Sequence, residues 1–190
     1  MFESLSFSMT AGDVLHITGE NGAGKTSLLR LIAGFSELVE GRILWEETQS
    51  NGFDSRFRKE SVYLGHKLAL QPNLSAIENV QYWMTLQETS SEVDVYPILA
   101  RFGLVGLEDL PVKMLSAGQQ RRVSLSRLLC KPAKLWILDE PFTSLDKGAV
   151  AMLTDLMASH KNAGGMVLLT SHSTLPDRLH AQILELEYQF

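Results

Sequence analysis

Val14-Leu15-His16-Ile17-Thr18-Gly19-Glu20-Asn21-Gly22-Ala23-Gly24-Lys25-Thr26-Ser27-Leu28-Leu29-Arg30-Leu31-Ile32-Ala33 changes character twice along its length. Val14 to Thr18 reads as a strand. A glycine-rich loop follows, and then an apolar helical run for which Gly34 is a stop signal. From Gly19 to Thr26 the loop fits G-x-x-x-x-G-K-[ST] at every fixed position. Gly22 and Gly24 let the backbone curl so that N–H groups converge on phosphate oxygens, and the helix N-terminus adds a dipole that favours negative charge. In this pattern Lys25 reaches the β- and γ-phosphates and the Thr26 hydroxyl is a Mg²⁺ ligand. Gly19, Glu20, Asn21, Gly22, Ala23, Gly24, Lys25 and Thr26 are therefore candidates for holding a nucleotide.

Outward from this unit, Leu135-Trp136-Ile137-Leu138 and Met166-Val167-Leu168-Leu169 are continuous apolar runs, as expected of parallel strands buried on both faces. Ala149 to Ala158 between them reads as a crossover helix, and Ile183 to Leu186 as a last strand. Upstream, Leu5, Phe7 and Met9 alternate with serines, the period of a half-buried strand that would bury Phe2 and Phe7. Gly41 to Trp45 is a further short strand, and Asn51 to Lys59 reads as a polar loop. Between about residues 67 and 130 the character turns helical, at Leu74 to Leu86, at Val95 to Phe102 and onward from Gly118. The expectation is an α/β chain forming one domain over residues 1–190. Its core is a mostly parallel sheet, with an antiparallel N-terminal β part and an inserted helical subdomain over about 67–130.

The apolar strand at Leu135 ends in Asp139-Glu140. Alternation along a strand gives neighbouring carboxylates different surroundings. Asp139 is placed to hold Mg²⁺ through water, and Glu140 to orient and polarise an attacking water.

The bulk numbers narrow the function classes. The chain has 190 residues, of which 45% are hydrophobic and 21% charged, a composition that builds a core. A formal net charge of −5 argues against a nucleic-acid partner, which requires surplus Lys and Arg. Cys130 is the single cysteine, so no internal disulfide forms, which fits a reducing compartment. No stretch reaches the roughly 18 apolar residues that span a bilayer, and the start does not read as a signal peptide. Work at a membrane would then go through another chain.

Leu115-Ser116-Ala117-Gly118-Gln119 resembles the LSGGQ signature of ABC ATPases, with Ala117 in place of a glycine, and Gln120-Arg121-Arg122 extends the match. A serine hydroxyl and backbone N–H groups at a helix N-terminus face an anion there, and Ser116 is also an ordinary helix cap. Pro141-Phe142-Thr143-Ser144-Leu145-Asp146 resembles the family's D-loop and Thr170-Ser171-His172 its switch histidine. The resemblance covers nearly the whole chain. It implies the ABC-type P-loop ATPase fold and a homodimer in which the signature of one copy closes on the γ-phosphate held by the other. It further implies that Asp146 contacts the second copy, and that His172 bonds the γ-phosphate and steadies the water of Glu140.

Two further places depart from the family pattern. His66, after Val62-Tyr63-Leu64-Gly65, takes the Q-loop position normally held by glutamine, and Gln71 comes later. The aromatic that stacks on adenine would precede the first strand, where the chain has no counterpart. The expectation is either a clipped N-terminus or adenine binding through other contacts.

Tyr63-Leu64-Gly65-His66, Leu74-Ser75-Ala76-Ile77-Glu78-Asn79, the signature stretch and Leu135 to Thr143 together are similar to the haem-exporter ATP-binding subunits of the bacterial cytochrome c maturation system. That resemblance implies a peripheral protein on the cytoplasmic face of the inner membrane, working with ATP and Mg²⁺ beside integral membrane subunits of the B and C types. No histidine pair has ligand spacing, so no haem site is expected in this chain. The alternatives are an ATPase subunit of another small ABC exporter, a soluble ABC ATPase of DNA repair or translation, and a nucleotide sensor without turnover.

Overall fold

The computed structural model describes residues 5–50, 55–89 and 92–187. Contacts divide the chain into two units, one of Met1–Tyr63, Ala133–Pro141 and Leu156–Phe190, the other of Leu64–Pro132 and Phe142–Asp155.

The first unit is built on strands β1 (Val14–Gly19), β4 (Ser61–Leu64), β5 (Leu135–Asp139), β6 (Met166–Thr170) and β7 (Gln182–Leu186), in the sheet order β4-β5-β6-β1-β7. The pairs β5–β6, β6–β1 and β1–β7 are all parallel. Leu15, Ile17, Leu135, Ile137 and Leu168 share a core cluster with Leu28, Leu29 and Ile32 of helix α1 (Lys25–Ile32). On the other face of the sheet, Trp136 lies across from Val167, and Leu138 and His16 both flank Leu169. All of these are buried, because successive side chains on a strand point to opposite faces and here both faces are covered.

Three expectations change in this unit. Residues 5–10 form no strand, since an alternating pattern supplies side chains but not a ladder partner. Leu5 and Met9 are half-buried against the core cluster, whereas Phe7 is exposed. The expectation for Phe2 lies outside the described residues. Second, the strand near Trp45 is half of a hairpin, β2 (Ile43–Trp45) paired antiparallel with β3 (Thr48–Ser50). Its turn is Glu46-Glu47, both at positive φ, 49° and 65°. Two glutamates stand where Asn-Gly or Asp-Gly would have signalled the turn. Third, part of the expected loop is helix α2 (Ser55–Glu60). Its buried Phe57 meets Trp45 edge-on at 5.2 Å between ring centroids. A single apolar anchor leaves no periodicity to read. Residues 51–54 of that loop lie outside the described residues.

The second unit contains helices α3 (Ala76–Leu86), α4 (Val95–Arg101) and α5 (Ala117–Ser126). Ser75 and Glu78 cap α3 reciprocally, each satisfying a backbone N–H of the other. Buried Asn79 donates to the carbonyls of Gln71, Leu74 and Ser75 and accepts the Gln71 N–H, which fixes the chain entering α3. Cys130 is buried, and desolvation pushes its thiol up to about 12, so it behaves as an apolar core residue. Helix α6 (Lys147–Asn162) begins in this unit and ends in the first.

Candidate functional site

The Gly19–Thr26 loop joins β1 to α1, and its shape follows from its glycines. Gly19, Gly22 and Gly24 adopt φ of 137°, 89° and 93°. A Cβ on Gly19 would lie 2.4 Å from the Leu186 carbonyl oxygen, so only glycine fits between the loop and β7. Gly24 caps α1 without any side-chain bond, which leaves the first N–H groups of the helix for an anion. Lys25 Nζ donates to the Gly19 carbonyl at 2.6 Å and to the Glu20 carbonyl at 2.9 Å, so the ammonium sits folded over its own loop. Glu20, Asn21 and Gly22 are exposed, and Ala23 is buried beneath them.

Asp139, the last residue of β5, is 1% exposed. The Thr26 hydroxyl donates to it, lying 2.9 Å from Oδ2 and 3.1 Å from Oδ1. Thr170, at the end of β6 and across from Asp139, donates to Asp139 Oδ1 at 2.8 Å and accepts the Glu140 N–H at 3.0 Å. One hydroxyl thus fixes both acidic residues. In the sequence Thr170 stands out only as a neighbour of His172, since the register alone places it across from Asp139. Tyr63 on β4 lies close enough for burial, and then the charge of Asp139, to raise its phenol above the usual range.

Glu140 leaves the strand at φ 52°, a left-handed conformation that costs a non-glycine residue of order 1 kcal/mol. The turn brings its carboxylate to the residues after β6. The His172 N–H donates to Glu140 Oε2 at 3.2 Å, and His172 Nε2 lies 3.5 Å from Glu140 Oε1. The Glu140 side chain is 14% exposed and that of His172 63%, so the pair has one sheltered and one open member. The first unit therefore brings together the phosphate loop, Asp139, Glu140 and His172.

The remaining candidates belong to the second unit. Ser116 caps α5, accepting the Gln119 N–H on Oγ at 3.3 Å while the Gln119 side chain takes the Ser116 N–H at 2.8 Å. Leu115 is buried, and Ser116 and Ala117 are exposed. Gly118 lies so close to the loop at Ser144 that a Cβ would stand 2.7 Å from the Ser144 carbonyl oxygen. Asp146 accepts the Ala149 N–H at 2.8 Å and so caps α6. His66 is exposed, two residues beyond β4.

Residues 2–143 match the family model described as ABC transporter. The chain is 44% identical over 175 residues to the cytochrome c biogenesis ATP-binding export protein CcmA of Yersinia pseudotuberculosis, covering 92% of this chain and 80% of the relative. It is also 44% identical to the protein of that name from Vibrio cholerae, covering 92% and 85%. Among solved structures, it is similar to the dimeric ATP-binding cassette MJ0796 bound to ADP and Pi, with a TM-score of 0.82, 21% identity and coverage of 97% and 86%. Another, described as the ATP binding subunit of an ABC transporter, gives a TM-score of 0.84 at 24% identity, covering 95% of this chain and 77% of that one. The phosphate loop, the acidic strand end and the capped signature helix thus stand in a chain that belongs to the ABC transporter family.

Proposed function

We propose that two copies of this chain sandwich two ATP molecules, each between the phosphate loop of one copy and the Ser116 end of α5 in the other. Hydrolysis then powers a haem exporter of bacterial cytochrome c maturation. The observation that carries the reading is Glu140, held between Thr170 and His172 beside the phosphate loop.

Lys25 exchanges its two carbonyl partners for β- and γ-phosphate oxygens, a charge-assisted contact of the stronger kind. Glu140 accepts a hydrogen bond from the attacking water and aligns it in line with the leaving group. His172 contacts the γ-phosphate and, through its N–H, keeps the Glu140 carboxylate in place. Thr26 and Asp139 offer a hydroxyl and a carboxylate, hard oxygen donors of the kind Mg²⁺ takes when substrate phosphates complete its shell. They would hold the ion, Asp139 through water, and bound Mg²⁺ neutralises charge on the phosphates. Leu115, Ser116, Ala117, Gly118 and Gln119 face the γ-phosphate of the other copy, Asp146 contacts that copy, and His66 serves in the Q-loop position.

Among the described residues no helix is long and apolar enough to cross a membrane. We assign the chain to the cytoplasmic face of the inner membrane, docked on integral subunits of the cytochrome c maturation B and C types. The names of its relatives favour this cargo over other exporters and over soluble repair or translation ATPases. The test is to co-express the chain with its membrane subunits, reconstitute the complex in vesicles and measure phosphate release. Turnover that disappears with Lys25→Ala and Glu140→Gln supports the reading, and a complex that releases no phosphate overturns it. Unimpaired maturation of c-type cytochromes in a Glu140→Gln strain would remove the haem assignment alone.

A further inference from the structure

We infer that His16 is a positioning residue for His172, acting through the carbonyl of Ser171. The inference rests on the reading of His172 as the γ-phosphate contact. His16 lies in the middle of β1, the strand that delivers the phosphate loop, and is 7% exposed. It alternates with Leu15 and Ile17, which face α1, so its imidazole points to the opposite side of the sheet, beside Leu169 of β6. From there Nε2 reaches the Ser171 carbonyl oxygen at 3.1 Å. A carbonyl has no hydrogen to give, so the proton of this bond is on Nε2 and the tautomer is fixed by its partner.

The place of that bond gives it leverage. The β1–β6 ladder ends at Ile17 opposite Thr170, and Ser171 is the first residue beyond it. Thr170 holds Asp139 and Glu140, and His172 holds Glu140, so Ser171 links two residues whose positions define the site. The residues after it border a cavity of about 650 Å³ lined in part by His16, Thr18, Gly19 and His172. With open space on that side, hydrogen bonds from the sheet help to place the loop. The Ser173 N–H to Ser171 Oγ bond, 3.0 Å, is local to the loop. The His16 bond ties the loop to the strand carrying the phosphate loop.

The test compares His16→Met and His16→Gln in the reconstituted complex, each also combined with His172→Ala. Both replacements have similar reach, but only glutamine keeps an N–H donor. Loss of one hydrogen bond predicts a kcat lower by roughly 3–10-fold for His16→Met, with nucleotide Kd changed less than about twofold. His16→Gln restores kcat. In the His172→Ala background His16→Met has no further effect, the coupling expected of two residues acting as one. A nitrogen-15 imidazole spectrum of the full-length wild-type chain shows His16 protonated at Nε2, a readout independent of whether His16→Met folds. Equal losses in both backgrounds, a glutamine as poor as methionine, or a His16 protonated only at Nδ1 would overturn the inference. A His172→Ala complex with unchanged kcat would instead remove the reading of His172 on which it rests.

Discussion

Thr170 Oγ1 stands 2.8 Å from Asp139 Oδ1 and donates to it, while its lone pair takes the N–H of the neighbouring Glu140. Both bonds are lost in the isosteric variant Thr170→Val. Leaving a buried carboxylate oxygen and a backbone N–H without this partner costs about 1–3 kcal/mol. Thr170→Val is expected to melt at lower temperature than wild type and to hydrolyse ATP more slowly, while Thr170→Ser keeps both properties. Calorimetry and a phosphate-release assay on the same preparations check this.

Substitutions at Lys25 and Glu140 are expected to separate binding from turnover. Lys25→Ala removes a charged donor and is expected to weaken nucleotide binding by about 1.5–3 kcal/mol, or ~10–150-fold in Kd. Glu140→Gln keeps the shape and the phosphate loop, so ATP binds as before while hydrolysis falls roughly 10²–10⁴-fold. Titration with a fluorescent ATP analogue, set beside single-turnover hydrolysis, distinguishes the two. Equal loss of affinity in both variants would contradict the assignment.

Gly118 inverts a rule of helix design. Glycine inside a helix is normally less stable than alanine, by up to ~1 kcal/mol. At Gly118 the added methyl carbon would sit 2.7 Å from the Ser144 carbonyl oxygen, too close without a shift of the loop. Gly118→Ala is therefore expected to destabilise the protein, by about 1–3 kcal/mol as in other overpacked sites. The neighbouring exposed Ala117→Gly serves as the control, with only the ordinary helix penalty. Urea unfolding of the pair gives the comparison.

His160 gives the fold a pH dependence. Its ring stacks on Trp136 with centroids 3.8 Å apart and planes within 2°, and its buried Nε2 has no hydrogen-bond partner among the described residues. Burial lowers its pKa below the usual 6.5, against smaller opposing contributions from backbone groups of Met166 and Lys134. The folded chain thus holds this proton less tightly than the unfolded chain. The contribution to stability is complete above about pH 6.5 and is lost as pH falls from there through the depressed folded value. Thermal melts between pH 7 and 5 are expected to fall less steeply for His160→Phe, which keeps an aromatic ring and has no proton to accept.

Much of the first unit was legible because its chemistry lies in contiguous residues. The loop from Gly19 to Thr26 carries its own flanking strand and helix, and Asp139-Glu140 closes an unbroken apolar run. The reading failed where the decisive partner was distant or atypical. The alternation from Leu5 to Met9 had no ladder to join, and the Glu46-Glu47 turn hid β3 behind two residues that rarely take positive φ. Helix α2 buries Phe57 as its one apolar side chain, too little for a period to show. Thr170 and His16 were invisible as site residues for one shared reason. Each acts across strand register, on Asp139 and Ser171 respectively, and register is a property of the sheet.

The reciprocal cap between Ser116 and Gln119 determines what the start of α5 offers its surroundings. The backbone N–H of Ser116 is occupied by the glutamine amide oxygen, and the serine oxygen is engaged as an acceptor by the amide behind it. The hydroxyl hydrogen takes no part in the cap and remains available to an acceptor outside it. This tip of the helix can therefore give a proton to an electron-rich oxygen while its own cap stays intact.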